Sequence, residues 1–184
     1  MKVVAIGDSI TYGFPYTPNL AWGNLVSKEL GISIINKGVN GDTSAGMEER
    51  FICDVISCSP SHVIITGGTN DACAGVEAEE VYDNICHMVE LALQYGVTPI
   101  IGIPIPCNYS RDECILSLYR ADMREYAMTN NIGMIDFYTA FMDSESRQTK
   151  TKLYADVLHP NEEGYRIMAN VASNFLTRML ITLK

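Results

Sequence analysis

The sequence predicts an α/β protein: a three-layer α/β/α sandwich around a five-stranded parallel sheet of order 2-1-3-4-5. Three observations predict it. Short β-rich apolar runs occur five times, segments with helical spacing separate them, and glycine, proline or asparagine bounds each run. Strands that alternate with helices become parallel neighbours, because each right-handed crossover returns the chain to the same sheet. Five such strands give the flavodoxin-like order.

The strands are read at residues 3–6, 32–35, 62–66, 98–103 and 134–137, each too short for a stable helix. The first helix is read at 21–30, where Leu25, Val26 and Leu30 share a face. The second, at 81–95, places Val81, Ile85, Met88, Val89, Ala92 and Leu93 at i, i+3, i+4 spacing. Gly31 and Gly96 supply stop signals. Residues 111–131 and 161–183 read as helices in the same way.

The 184 residues suit one core, so residues 1–184 are read as one domain. With 47% hydrophobic and 19% charged residues, the composition is that of a globular chain and argues against a disordered or fibrous one. Thirteen Lys+Arg against 22 Asp+Glu give a net charge of -9, which repels nucleic acid and anionic membranes. The densest basic cluster, Arg147, Lys150 and Lys152, is interrupted by polar residues and reads as a solvated loop. No apolar run reaches the ~18 residues of a membrane span. The chain opens on Met-Lys-Val-Val without a charged leader, so the expected location is cytoplasmic, with no stable membrane insertion. The six cysteines form no CxxC pair and read as buried or half-buried free thiols, with no zinc site implied.

In a sheet of this order, chemistry lies just after the strands. Gly7-Asp8-Ser9 follows the first strand, Asn36 through Asp42 follow the second, and Gly67-Gly68-Thr69-Asn70-Asp71 follow the third. Taken singly, each loop is punctuation: Ser9 and Asp42 can be helix caps, and Asn70 a turn residue. Taken together they meet at one edge, with neighbouring strands only ~5 Å apart. A hydroxyl, a glycine N–H and an asparagine amide around one reacting atom are the parts that acyl transfer needs: a nucleophile and donors for the oxyanion.

A serine nucleophile needs a base. Of three histidines, His62 begins the third strand at the opposite edge and His87 lies in an amphipathic helix, so both read as structural or surface residues. His159 remains, in "LYADVLHPNEEGY", with Asp156 three positions before it and Pro160 opening the final helix. In a non-helical turn that carboxylate can accept from Nδ1–H of His159 and leave Nε2 for Ser9.

These stretches resemble the four blocks of the SGNH hydrolases, the GDSL esterase/lipase family. "GDSI" is similar to the nucleophile block, with Ile10 where leucine is common; "GVNGDTS", "GTND" and "DVLH" are similar to the other three, in the family's order. The resemblance implies a flavodoxin-like hydrolase without metal or organic cofactor and with a catalytic triad. Ser9 would be the nucleophile, His159 the general base and then acid, and Asp156 the carboxylate that orients it. Ser9 N–H, Gly41 N–H and the Asn70 amide would form the oxyanion hole. Asp8 is too close in sequence to orient the base and is expected to brace the loop.

Tyr12, Phe14, Tyr16 and Trp22 follow Ser9 closely and are candidates to line an acyl or sugar pocket, or to pack the first loop on its own helix. Residues 104–113, after the fourth strand, are expected on its rim. A short chain leaves little room for a lid, which favours small soluble esters. The expected activity is therefore a short-chain acyl esterase, on O-acetylated carbohydrate among other esters, ahead of a lysophospholipase or thioesterase. Two readings from other classes compete. A receiver-like protein would use Asp8 and Asp71 for Mg²⁺ but leaves "DVLH" unexplained, and a non-catalytic binding module would have kept the pocket alone.

Overall fold

The structure, a computed structural model, describes residues 1–182. Its five strands are β1 (Lys2–Gly7), β2 (Ser33–Gly38), β3 (His62–Thr66), β4 (Thr98–Ile103) and β5 (Gly133–Asp136). All pair in parallel in the order β2-β1-β3-β4-β5, as the alternation of runs predicts. Nine α-helices occur among the described residues: α1 (Ser9–Tyr12), α2 (Trp22–Leu30), α3 (Ser44–Glu49), α4 (Phe51–Asp54), α5 (Thr69–Ala74), α6 (Ala78–Gln94), α7 (Ser110–Thr129), α8 (Phe137–Phe141) and α9 (Glu162–Thr182).

The period-two pleat divides each strand between two cores. From β1, Val4 and Ile6 join Met47, Phe51, Ile85, Met88 and Leu116 beneath α3, α4, α6 and α7. Val3 and Ala5 join Trp22, Val26, Phe137 and Met168 beneath α2, α8 and α9. Apolar burial on both faces is why the strands read as nearly continuous hydrophobic runs. Leu93, read as part of the inner face of α6, points to solvent at 54% exposure.

The differences from expectation lie at polar boundaries. β2 runs on through Asn36, Lys37 and Gly38, which pair with Ala5, Ile6 and Gly7; pairing with a central strand, invisible locally, overrides their loop-like composition. β5 starts and stops one residue earlier than expected, because Asp136 caps α8 and so assigns Phe137 to that helix. Pro160 does not open the last helix. It pairs with Tyr154 in an isolated bridge, and Asn161 is the cap, its Oδ1 accepting from Gly164 N–H at 3.0 Å. The expected end of that helix at Leu183 lies outside the described residues.

Register then sets the site. Gly7 is level with Gly38 of β2 and Thr66 of β3, so the segments after all three strands leave the sheet together. α1 passes so close to the end of β2 that a Cβ on Gly38 would stand 2.1 Å from the Tyr12 nitrogen.

Candidate active site

Asp8 and Ser9 divide two tasks between them. The Asp8 carboxylate caps α1, accepting from Ile10 N–H at 2.8 Å, so the Ser9 hydroxyl is left over for other partners. Ser9 Oγ lies 3.0 Å from Nε2 of His159. Nδ1 of that ring lies 2.8 Å from Asp156 Oδ2, while Asp156 Oδ1 accepts from the N–H groups of Leu158 and His159, each at 2.7 Å. Asp156 is acceptor-only when ionised, so Nδ1 carries the proton and Nε2 turns its lone pair toward Ser9. Burial by itself would push the Asp156 carboxyl up, but the His159 and Leu158 backbone N–H groups and the His159 ring hold it below the ordinary carboxylate value.

The turn that carries Asp156 and His159 is closed by Ala155 N–H to His159 C=O at 2.8 Å. It is fastened to the loop after β4 by Asn108 N–H to Val157 C=O at 2.9 Å, and by the Tyr154 hydroxyl to Pro106 C=O at 2.5 Å. That loop thus supports the turn, whereas the sequence suggested only a place on the pocket rim.

Gly41 stands in the left-handed region at φ +79°, with open space where a Cβ would project. Among the described residues, neither its N–H nor that of Ser9 donates a hydrogen bond. One proton of the Asn70 amide goes to Asp42 C=O at 2.7 Å, which fixes the side chain and leaves the second proton for a ligand. Ser9, Gly41, Asn70 and His159 line one cleft of about 220 Å³, with Ile10, Phe14 and Leu158 as its apolar wall. Larger concavities of about 470 and 810 Å³ lie against α6 and α7 and at the amino edge of the sheet, away from this constellation.

Of the aromatic candidates, the structure brings only Phe14 to the cleft, its ring centroid 4.5 Å from that of His159. Trp22 is fully buried and packs against Phe137 at 5.2 Å, so its assignment to the pocket is corrected: it opens α2, whose inner face belongs to the core. Tyr12 does not line the cleft, because α1 lies against the end of β2. Tyr16 packs edge-on against Tyr165.

Arg50 is the residue that sequence reasoning missed. Its guanidinium contacts Asp42 at 2.7 Å, Asp54 at 2.8 Å and the Gly7 carbonyl at 3.1 Å, tying the Gly41 loop to the end of β1. Only the i, i+4 pair with Asp54 was legible locally. His62 bonds Ser61 at 2.9 Å and His87 pairs with Glu48 at 2.6 Å, both away from the cleft. Asp71 gives both carboxylate oxygens to Ser44, and Asp8 is committed to Ile10, so this pair is already engaged in structural bonds. All six cysteines are free thiols; Cys53 and Cys114 are exposed rather than buried or half-buried as expected, and burial pushes Cys73 up to about 11.

Burial pushes Asp8 up to about 7, against the lowering effect of Ile10 N–H and with the charges of Asp71 and Asp42 adding to the rise. An unfolded chain ionises it near the ordinary value of 3.8, so between that value and about 7 the folded state holds a proton the unfolded state has released. Asp8 therefore favours folding less and less as pH rises through this window. Asp8→Asn keeps the capping oxygen and cannot ionise. Its gain in Tm over wild type is expected to be largest at pH 8 and near zero at pH 4, as read by thermal denaturation; an equal gain at both would refute ionisation as the cause.

A parallel α/β/α sandwich with a serine, a histidine and an aspartate in one hydrogen-bonded chain at its carboxyl edge is an arrangement found among hydrolases. The chain belongs to the GDSL-like lipase/acylhydrolase family, whose model matches residues 5–167. A solved structure of a G-D-S-L family protein from Desulfitobacterium hafniense DCB-2 is similar over 95% of this chain and 98% of that one, with 33% identity and a TM-score of 0.88. Lipoprotein YqeF of Bacillus subtilis is 32% identical over 56% of this chain and 48% of its own length. Esterase TesA of Pseudomonas aeruginosa is 28% identical over 58% of this chain and 56% of its own length. These matches thus span about half the length of each of the two curated relatives. No described helix is long and apolar enough to cross a membrane.

Proposed function

We propose that this protein hydrolyses carboxylic esters of short acyl chains through an acyl-enzyme formed on Ser9. The observation that carries the reading is the continuous chain from Ser9 to His159 to Asp156, at 3.0 and 2.8 Å, opening into one small cleft. Ser9 Oγ attacks the ester carbonyl carbon while Nε2 of His159 takes its proton, and Asp156 stabilises the resulting imidazolium. The oxyanion lies among Ser9 N–H, Gly41 N–H and the second Asn70 amide proton. Collapse expels the alcohol, which takes the proton from Nε2. Water then attacks the acyl-enzyme along the same route and releases the acid and Ser9. The residues drawn together require no metal or organic cofactor for these steps.

The cleft argues for the substrate class. At about 220 Å³ it is smaller than the ~300 Å³ at which pockets for larger ligands begin, and its apolar wall is short. A small acyl group fits it, while the alcohol part extends to solvent, as an O-acetylated carbohydrate requires. The relative TesA bears the name esterase, which agrees with this reading. Hydrolysis of p-nitrophenyl acetate, butyrate and octanoate with EDTA present tests it. The expected result is activity that requires Ser9, survives the chelator and falls from butyrate to octanoate. A rate that rises through octanoate would move the assignment to long-chain esters or thioesters, and activity retained in Ser9→Ala would remove Ser9 from the reaction.

A further inference from the structure

The Phe14 ring is the part of the cleft wall that rests on His159, and the backbone that carries it is held from behind. Phe14 N–H donates to the Ser9 carbonyl at 3.0 Å, which ties the start of this loop to the nucleophile's own backbone. The Phe14 carbonyl accepts from the hydroxyl of Tyr165 at 2.6 Å. Tyr165 is fully buried in α9, six positions after His159, and Tyr16 packs edge-on against its ring at 6.4 Å. Burial and the charges of Asp8 and Asp156 push its phenol above the ordinary value, so the hydroxyl stays protonated and remains a donor. One side chain outside the cleft therefore joins the loop after the nucleophile to the helix after the base.

We propose that Tyr165 sets the acyl length this site accepts, by latching Phe14 over His159. This rests on the esterase reading above and assigns a specificity role to a residue that touches no substrate. In this account the Phe14 ring, a wall of the cleft and itself 38% exposed, stands in the way of an acyl chain that runs beyond the cleft. With the latch open, the ring can swing to solvent, and the cleft lengthens across the space it leaves.

Two variants and their combination test this. Tyr165→Phe removes the hydroxyl and keeps the buried ring, so the core stays filled. Phe14→Ala removes the blocking ring. In Phe14→Ala the ratio of kcat/KM for p-nitrophenyl octanoate to that for acetate is expected to rise about tenfold, mainly through a lower KM for octanoate. Tyr165→Phe is expected to shift the ratio the same way by about threefold, and to add nothing in a Phe14→Ala background, because it acts through that ring. A purely structural role would lower kcat/KM for all esters alike and leave the ratio unchanged, which overturns the proposal, as does a full additional shift in the double variant.

A second readout does not depend on turnover. Nuclear Overhauser contacts between the Phe14 and His159 rings are expected in the wild-type protein and lost in Tyr165→Phe. If the wild type cleaves none of these esters, the esterase reading fails alone, and this contact decides whether Tyr165 is a latch. Retention of the contact without the hydroxyl overturns it.

Discussion

His159→Ala is expected to lower kcat on p-nitrophenyl butyrate by about 10⁵- to 10⁶-fold, and the same substitution in Ser9→Ala protein to lower it no further. In the proposed mechanism the hydroxyl and the imidazole act as one unit: the ring, at 3.0 Å, takes the proton that Ser9 loses as it attacks. Removing either partner leaves the other without a task, so their losses do not add. The fold should survive, because Ser9 does not cap α1 and His159 lies in a turn closed by backbone bonds. Steady-state rates for the two single variants and the double variant measure this. Losses that multiply would show that the two side chains work in separate steps.

Asn70→Ala is expected to lower kcat by on the order of 10² to 10³, with KM little changed, because an oxyanion donor acts on charge present only in the transition state. Asn70 also donates to Asp42 C=O, so part of any loss could come from a displaced Gly41 loop. Asn70→Asp removes both the oxyanion donor and the bond to Asp42 C=O and sets a carboxylate toward the oxyanion, so its kcat is expected to fall at least as far as that of Asn70→Ala. Near-wild-type turnover in either variant would remove Asn70 from the oxyanion hole.

Both predictions concern residues that were legible in the sequence, and the reason is physical. Ser9, Gly41 and Asn70 each lie within four residues of a strand's carboxyl end, and parallel neighbours in level register bring such positions together. Asp156 and His159 form their own local turn, so three positions of spacing were enough to pair them. β1, β3 and β4 were legible because both of their faces are buried. The polar half of β2 was not, since its pairing with β1 is a tertiary fact. Helices of four to six residues, such as α1 and α5, are too short for periodicity, and α5 has no side-chain cap at its start to announce it.

Trp22 and Arg50 illustrate opposite errors. Trp22 follows Ser9 by thirteen positions, and nearness along the chain suggested nearness in space; instead α2 turns its ring into the core. Arg50 stands outside every motif, yet its contact with Gly7 C=O, 43 positions away, ties two loops of the cleft together. No local pattern announces a side chain whose partners lie in three separate segments.

The 150 positions between Ser9 and His159 have a consequence for the order in which the molecule is made. β1, an interior strand of the sheet flanked by β2 and β3, is synthesised before the turn with His159 and the helix after it. A growing chain therefore carries the Ser9 hydroxyl for 150 positions before its histidine partner is made. In the proposed mechanism Ser9 meets its base only when the turn before α9 reaches the carboxyl edge of the sheet, so chemical competence waits on the packing of α9 against α2 and α8.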